Sequence, residues 1–463
     1  MSEVHLKAEF RPMHTQVCGT TNAGKTASVV LPWIARDIEL QRGLIIVDGK
    51  SDRAFLEQIY AHAVQNGRQD DFMVFSLAQP SISSTFNPFA QGTPDQITER
   101  VFSSFSFTDE YYRAVQYAAL RTIVALLMHR GQIPMPGVIR ELLLNRDKLK
   151  GWSASMQDDN LASDVNALLR EDAGEFHKRY SGLITALGHF SQGPTAPLFN
   201  TRTPEIVLAD VIKNRKICYF QLPTMMYPFL GAATGKLVLQ CLQSTISEMQ
   251  VGGKENPSLF SVYLDDFNDY IYPQFISILN KSRSAGIGIV FAHQSLGDLK
   301  KVGEEFTESF LTNTNIKVIM RSPDPVSAEY FASSIGTKTG EKVTERRSHF
   351  LLGLKRNTGE QSARDVEEYV IHPNVFKSKL GTGEGVVVIP YPKGRIVKRV
   401  KFAMVPRLAP LRLPIRDLPL IHFAYEATAP EARRTRIQSQ RDDIEGAANA
   451  AKSKENQKNK GII

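Results

Sequence analysis

Eight consecutive residues near the amino terminus carry the clearest chemistry in this chain: Gly19, Thr20, Thr21, Asn22, Ala23, Gly24, Lys25 and Thr26. The pattern G-x-x-x-x-G-K-T is that of a phosphate-binding loop. Its backbone N–H groups must turn inward around an anion, and a glycine at each end permits the curl and a close approach by phosphate. Lys25 is then expected against the β- and γ-phosphates of a nucleotide, with the Thr26 hydroxyl on Mg²⁺. Such a site also needs a carboxylate for the metal and a polar group to orient water. Asp265 and Asp266, which follow Phe260-Ser-Val-Tyr-Leu264, supply a metal-binding (Walker B) aspartate and a water-activating carboxylate. Asp48 closes an earlier apolar run and is the alternative Walker B residue, although no second carboxylate adjoins it. Gln294 ends another apolar run, where it fits either a γ-phosphate sensor or polar packing. Arg283 lies between the Asp-Asp and Gln segments and reads on its own as a surface arginine or as a finger for a neighbouring subunit's nucleotide.

These groups fall at the ends of apolar segments, where a doubly wound sheet gathers its ligands. Val17-Cys18, Gly43 to Asp48 and Phe72 to Phe75 read as short buried strands, with helical spacing over 54–66 between the last two. That is a βαβαβ pattern, which predicts a parallel sheet covered by helices. Between Gln91 and Phe199 the periodicity turns helical, strongest over Glu110 to His129, with further helices expected over 161–173 and 180–190. Strand signals return at Lys216 to Leu222, Leu259 to Leu264, Gly286 to Ala292 and Asn315 to Arg321, and a long helix is expected over 231–249. Gly385 to Ile389 and Ile396 to Phe402 read as a closing antiparallel pair.

Composition narrows the function classes. With 42% hydrophobic and 22% charged residues among 463, the chain can bury a large core. A net charge of +8 suits an anionic partner such as nucleic acid or a membrane surface. The three cysteines, Cys18, Cys218 and Cys241, form no CxxC pair, so neither a disulfide framework nor a zinc site is expected. The best apolar run, Thr122 to Met128, is only about a third of a membrane span. From Glu431 on, the chain is charged and short of large apolar residues, as in a disordered tail.

Taken in order, these pieces resemble the type IV coupling proteins of conjugation and type IV secretion, the TraD/TraG family. Gly19 to Thr26 looks like that family's GTTGxGK[ST], and Ile46-Val-Asp-Gly-Lys50 is similar to its second-strand D-P-K segment. Phe86-Asn-Pro88 resembles its N-P, and Tyr263-Leu-Asp-Asp-Phe267 its L-D-E-F. Arg283-Ser-Ala-Gly-Ile287 and Ala292-His-Gln-Ser295 resemble its R-K-x-G-[IL] and strand-end Q-S, and Asn315 to Ile335 its TraM-recognition region. Asp266 stands where the family has glutamate, and Gly49 where it has proline. The family's paired transmembrane helices have no counterpart among the eighteen residues before Gly19.

The resemblance implies an α/β fold: a RecA-like P-loop NTPase core of mostly parallel sheet with helices on both faces and an inserted all-α domain. Its parts would be a first core segment at 1–88, the insertion at 89–200, a second core segment at 201–405, an extension at 406–430 and the tail at 431–463. ATP and Mg²⁺ would be held by residues 19–26 and Asp265, with Asp266 as the catalytic acid position, Arg283 as a trans-acting finger and Gln294 as sensor. The implied activity is ATP-driven delivery of single-stranded DNA with its relaxase, or of effector protein, to a type IV secretion channel. DNA would be bound without sequence preference, relaxosome and channel proteins would be partners, and a homohexamer would form on DNA or ATP. The chain would be cytoplasmic and held at the inner membrane through partners. An FtsK/HerA-like double-stranded DNA translocase and a slowly hydrolysing, nucleotide-gated docking protein are the alternatives.

Overall fold

The computed structural model describes residues 4–105, 110–153, 158–170, 172–252, 258–349 and 355–417. The charged stretch from Glu431 on lies outside the described residues, as does residues 418–430 of the extension before it.

The strands are β1 (Thr15–Cys18), β2 (Leu44–Asp48), β3 (Phe72–Ser76), β4 (Ile217–Gln221), β5 (Phe260–Asp265), β6 (Ile287–His293), β7 (Ile316–Met320), β8 (Thr337–His349), β9 (Lys355–Tyr369), β10 (Glu384–Tyr391) and β11 (Gly394–Lys401). Among the described residues, nine of them form one sheet in the order β11-β10-β7-β1-β6-β5-β2-β4-β3. From β7 to β3 all neighbours run parallel, while β10 and β11 close the sheet antiparallel. The central strands are apolar runs because both faces are covered: every residue of β2, β4 and β5 is buried. Helices α1 (Leu31–Glu39) and α2 (Arg53–Gln65) follow β1 and β2.

Between β3 and β4 the chain leaves the sheet for a run of helices: α3 (Pro94–Ser104), α4 (Glu110–His129), α5 (Pro136–Leu144), α6 (Arg146–Ser153), α7 (Asp159–Leu169), α8 (Ala173–Ser191) and α9 (Ala196–Phe199). The helix expected over 161–173 stops at Leu169. Asp172 caps the next one instead, its carboxylate accepting the N–H groups of Gly174 and Glu175. Entry and exit of the run are clasped by Asn87, whose Nδ2 donates to Pro134 O and Thr201 O, each at 2.9 Å. Around the clasp, Phe75, Phe86, Phe199 and Phe220 pack ring against ring, joining the helices to β3 and β4.

Helix α10 (Leu208–Lys213) leads into β4, and after that strand come α11 (Pro228–Val251), α12 (Ile276–Ser284), α13 (Leu296–Lys300), α14 (Glu304–Asn313) and α15 (Pro325–Ile335). The β8–β9 hairpin is a separate two-stranded ladder that the sequence reading did not foresee. Its residues are polar and charged on both alternations, so no period-2 apolar signal marks it.

A buried ionic cluster joins the helix after the first loop to β5. Arg11 Nη1 donates to Asp37 Oδ1 at 2.5 Å and its Nη2 to Tyr263 Oη at 2.7 Å, while Tyr263 Oη donates to Asp37 Oδ2 at 2.7 Å. Arg42 adds a second cation, 3.0 Å from Asp37. Burial works against both charges, but Arg11 keeps the Asp37 carboxyl below its usual range.

Two buried histidines bracket β6, each locked as a neutral ring. His14 Nε2–H donates to Leu279 O at 2.6 Å while Nδ1 accepts the Ile289 N–H at 3.2 Å. His293 Nδ1–H donates to Ser295 O at 2.8 Å while Nε2 accepts from Gln16 Nε2 at 2.9 Å. A second ring proton would face an N–H donor in each case, and burial lowers both pKa values to about 4. The unfolded chain binds these protons below pH ~6.5, whereas the folded chain refuses them until pH ~4. Stability is therefore complete above the unfolded value and falls as the pH drops toward 4, by up to roughly 3 kcal/mol per histidine. Urea midpoints at pH 7.5 and 5.0 check this. A clear fall at pH 5.0 is expected, and it should shrink when His293 is replaced by Gln.

Candidate nucleotide site

The loop leaves β1 at Gly19 and reaches the helix at Lys25. Gly19 N–H donates to His293 O, and Thr20 N–H to Arg321 O at 2.8 Å, so the loop is sewn to the ends of β6 and β7. Gly19 has no room for a side chain, because a Cβ there would lie 2.8 Å from that of Met320. Gly24 turns the chain with φ +94°, which strains any other residue. Wide π-type turns over Lys25–Val30 then run straight into α1.

The sheet order brings the ends of β1, β6, β5 and β2 side by side. Cys18 is level with His293, Asp265 with Ala292, and Asp48 with Asp265. Thr26 Oγ1 accordingly donates to Asp265 Oδ2 at 3.2 Å, a contact between residues 239 positions apart. Asp265 is buried, and among the described residues its Oδ1 has no hydrogen-bond partner. Burial pushes this carboxyl up to about 6, against the pull of Lys50. Lys25 is bent back across its own loop, donating to Gly19 O at 2.6 Å and Thr20 O at 3.4 Å. Its pKa is lowered by burial and then by the neighbouring Lys50. Thr21 Oγ1 donates to Gln294 Oε1 at 3.3 Å, which sets the strand-end glutamine against the loop.

The alternative Walker B residue is otherwise employed. Asp48 accepts the backbone N–H groups of Lys50, Ser51 and Asp52 and the Tyr219 hydroxyl, so both its oxygens are spent holding the turn after β2. Asp266 stands in the left-handed region, at φ 47°. Gly49 is fitted to it: a Cβ at Gly49 would lie 3.0 Å from Asp266 O.

Arg283 is not brought to this edge. It ends α12, before β6 begins, whereas the loop lies beyond the far end of that strand. Seven strand residues at about 3.3 Å each put roughly 20 Å between them. Arg283 is exposed and lies near enough to His14, at the opposite sheet edge, to disfavour its protonation.

Three contacts at the site were not anticipated. Lys50 Nζ lies 2.8 Å from Asp266 Oδ2. The Gly381-Thr382-Gly383 loop leans on the phosphate loop, with Gly383 N–H donating to Ala23 O and Thr382 Oγ1 to Asn22 O. Thr224 Oγ1 ties the segment after β4 to Asp269 at 2.8 Å. The only sequence signals were the lysine in the second-strand motif and the paired glycines.

The donor set fits Mg²⁺ carried by a nucleotide. A hydroxyl and a buried carboxylate with one unsatisfied oxygen are hard ligands, and the metal's remaining positions would go to phosphate and water. Among the described residues no group of three or more His, Cys, Asp or Glu could hold a metal by itself. The fold is that of a RecA-like P-loop NTPase core.

Residues 260–378, from β5 past β9, match the family described as the TraM recognition site of TraD and TraG. The type 4 coupling protein DotL of Legionella pneumophila is 23% identical across 71% of this chain and 50% of its own length. Coupling protein TraD of Escherichia coli K12 is 27% identical across 32% of this chain and 20% of its own. The chain therefore spans about half of DotL and a fifth of TraD. Plasmid coupling protein TrwB has the same fold: its complex with an ATP analogue, ADPNP, superposes with a TM-score of 0.64 at 15% identity, covering 88% of this chain and 89% of that one. Its complex with ADP and Mg²⁺ superposes with a TM-score of 0.61. The chain is thus similar to the type IV coupling proteins, the TraD/TraG family, over residues 260–378 and across its match to DotL. Among its described residues no helix is long and apolar enough to cross a membrane.

The half-satisfied Asp265 yields a prediction. Removing its buried charge relieves the nucleotide-free fold, while a metal bound through it is lost. Asp265→Asn should raise the melting temperature of the nucleotide-free protein by a few degrees, roughly 1 kcal/mol or more. It should also abolish any further rise on adding Mg²⁺-ATP. Thermal scans with and without Mg²⁺-ATP measure both effects.

Proposed function

We propose that this chain is an ATP-hydrolysing coupling protein that moves single-stranded DNA with its relaxase, or effector protein, into a type IV secretion channel. The observation that carries the reading is the meeting of Lys25, Thr26, Asp265, Asp266 and Gln294 at one sheet edge. Lys25, now folded onto loop carbonyls, would swing to the β- and γ-phosphates. Thr26 and Asp265 would hold Mg²⁺, which neutralises charge on the phosphates when bound. Asp266 orients the attacking water and takes its proton as the bond from the γ-phosphorus to the bridging oxygen breaks, releasing ADP and phosphate. Gln294, tethered to the loop through Thr21, reports the γ-phosphate to β6.

Arg283 cannot serve its own chain's site from the far edge, which supports a finger acting on the next subunit of a homohexamer. Sequence-independent DNA binding accords with the net charge of +8. The plasmid coupling protein TrwB has been solved with ADP and Mg²⁺ and with triphosphate analogues, and ATP and Mg²⁺ are the corresponding ligands here. Relaxosome and channel proteins are the partners, and they would hold the chain at the cytoplasmic face of the inner membrane. The helical run between β3 and β4 favours this over an FtsK/HerA-like double-stranded DNA translocase. The shorter, left-handed Asp266 supports a second reading, a nucleotide-gated docking protein with slow turnover. A sharp gain in hydrolysis by Asp266→Glu would favour it.

Mixed rings test the composite site. Lys25→Ala and Arg283→Ala should each lower DNA-stimulated ATP hydrolysis by about a hundredfold or more. Arg283→Ala alone should keep its nucleotide affinity. Mixed together, the two variants should recover part of the activity, because a Lys25→Ala subunit still offers Arg283 to its neighbour's intact loop. Full activity in Lys25→Ala, or mixtures as inactive as their components, would contradict the reading.

A further inference from the structure

Lys50 is the charged group at this edge to which the P-loop mechanism gives no task. Its backbone is fixed, since its N–H donates to Asp48 Oδ1 at 2.9 Å within a turn wound on that carboxylate. Its side chain is 46% exposed, and its ammonium rests 2.8 Å from Asp266 Oδ2, on a carboxylate that is itself only 18% exposed. Lys50 also lies close enough to Lys25 that the two ammonium groups repel. Two cations side by side, one folded onto loop carbonyls and one onto a carboxylate, describe a cradle whose anion is supplied from outside. Lys25 reaches it from the loop and Lys50 from the end of β2, on the Asp266 side.

We propose that Lys50 is a positioning residue that responds to the terminal phosphate: without nucleotide its ammonium holds the Asp266 carboxylate, and a nucleoside triphosphate, but not a diphosphate, draws it away and frees Asp266 to engage water. The inference rests on the ATPase role given above to Asp266. It follows from competition, since a γ-phosphate carries more negative charge than one carboxylate and draws the flexible lysine stem toward the loop, away from Asp266. Asp266 is the shorter and more buried partner, 18% exposed against 46%, so that the lysine moves and the acid stays. Burial opposes the charge on Lys50, but Asp265, Asp266 and Asp48 outweigh it and keep the ammonium protonated.

Calorimetric titration of the whole chain with Mg²⁺-ADP and with the non-hydrolysable triphosphate Mg²⁺-ADPNP tests this without reference to turnover. Lys50→Met should weaken ADPNP by about tenfold while ADP stays within about twofold, and Lys50→Arg should retain most of the preference. Asp266→Asn, which removes the competing carboxylate, should tighten ADPNP several-fold and leave ADP unchanged. That gain should vanish in a Lys50→Met background. Equal weakening of both nucleotides by Lys50→Met, or a gain from Asp266→Asn that persists without Lys50, would overturn the proposal. If Lys25→Ala leaves both affinities intact, the phosphate site itself has been misassigned, an outcome distinct from failure of the Lys50 role alone.

Discussion

A buried carboxylate with one oxygen satisfied and one left open is the constraint that organises this molecule. Asp265 holds its charge in a place where burial disfavours it, and among the described residues its only hydrogen-bond donor is a threonine from a loop more than two hundred residues earlier. Such an arrangement costs stability unless a ligand completes it. The parallel sheet makes the meeting possible. β6 lies between β1 and β5, and the strands are in register, so loop, aspartate and glutamine emerge at one level. The Arg11–Asp37–Tyr263 cluster secures the same pairing from behind. Tyr263 and Asp265, two residues apart on β5, both face the helix that leaves the loop, and that helix is gripped by each.

The edge chemistry divides by reach. Lys25, Thr26, Asp265, Asp266, Lys50 and Gln294 stand at the carboxyl ends of the strands, whereas Arg283 stands at the amino ends. A residue at the amino ends of the strands cannot reach its own chain's loop, and the proposed composite site rests on that placement. The loop after β4 and the Gly381-Thr382-Gly383 loop add contacts to the same edge from segments outside the recognised motifs.

Much of this could be read from the chain. Apolar strand runs buried on both faces are legible because nothing polar interrupts them, and β2, β4, β5 and β6 were located within a residue or two. The phosphate loop and the Asp-Asp pair carried their chemistry in residue type and spacing. What remained hidden depended on three dimensions. Asp48 and Asp265 both end apolar strands, and only the turn wound on Asp48 shows that its oxygens are spent. The β8–β9 hairpin has no apolar alternation to reveal it. Lys50 was visible as part of a motif, but its pairing with Asp266 required knowing that β2 and β5 are neighbours.

The central claim is that Thr26 and Asp265 act together on a metal carried by the nucleotide. The most direct measurement is a double-mutant cycle on nucleotide affinity, using Thr26→Ala, Asp265→Asn and the combination, in Mg²⁺ and again with the metal chelated. The account predicts that in Mg²⁺ the combined loss falls short of the sum of the single losses by about 1 kcal/mol or more, and that the coupling disappears on chelation. Losses that simply add in the presence of Mg²⁺ would contradict it.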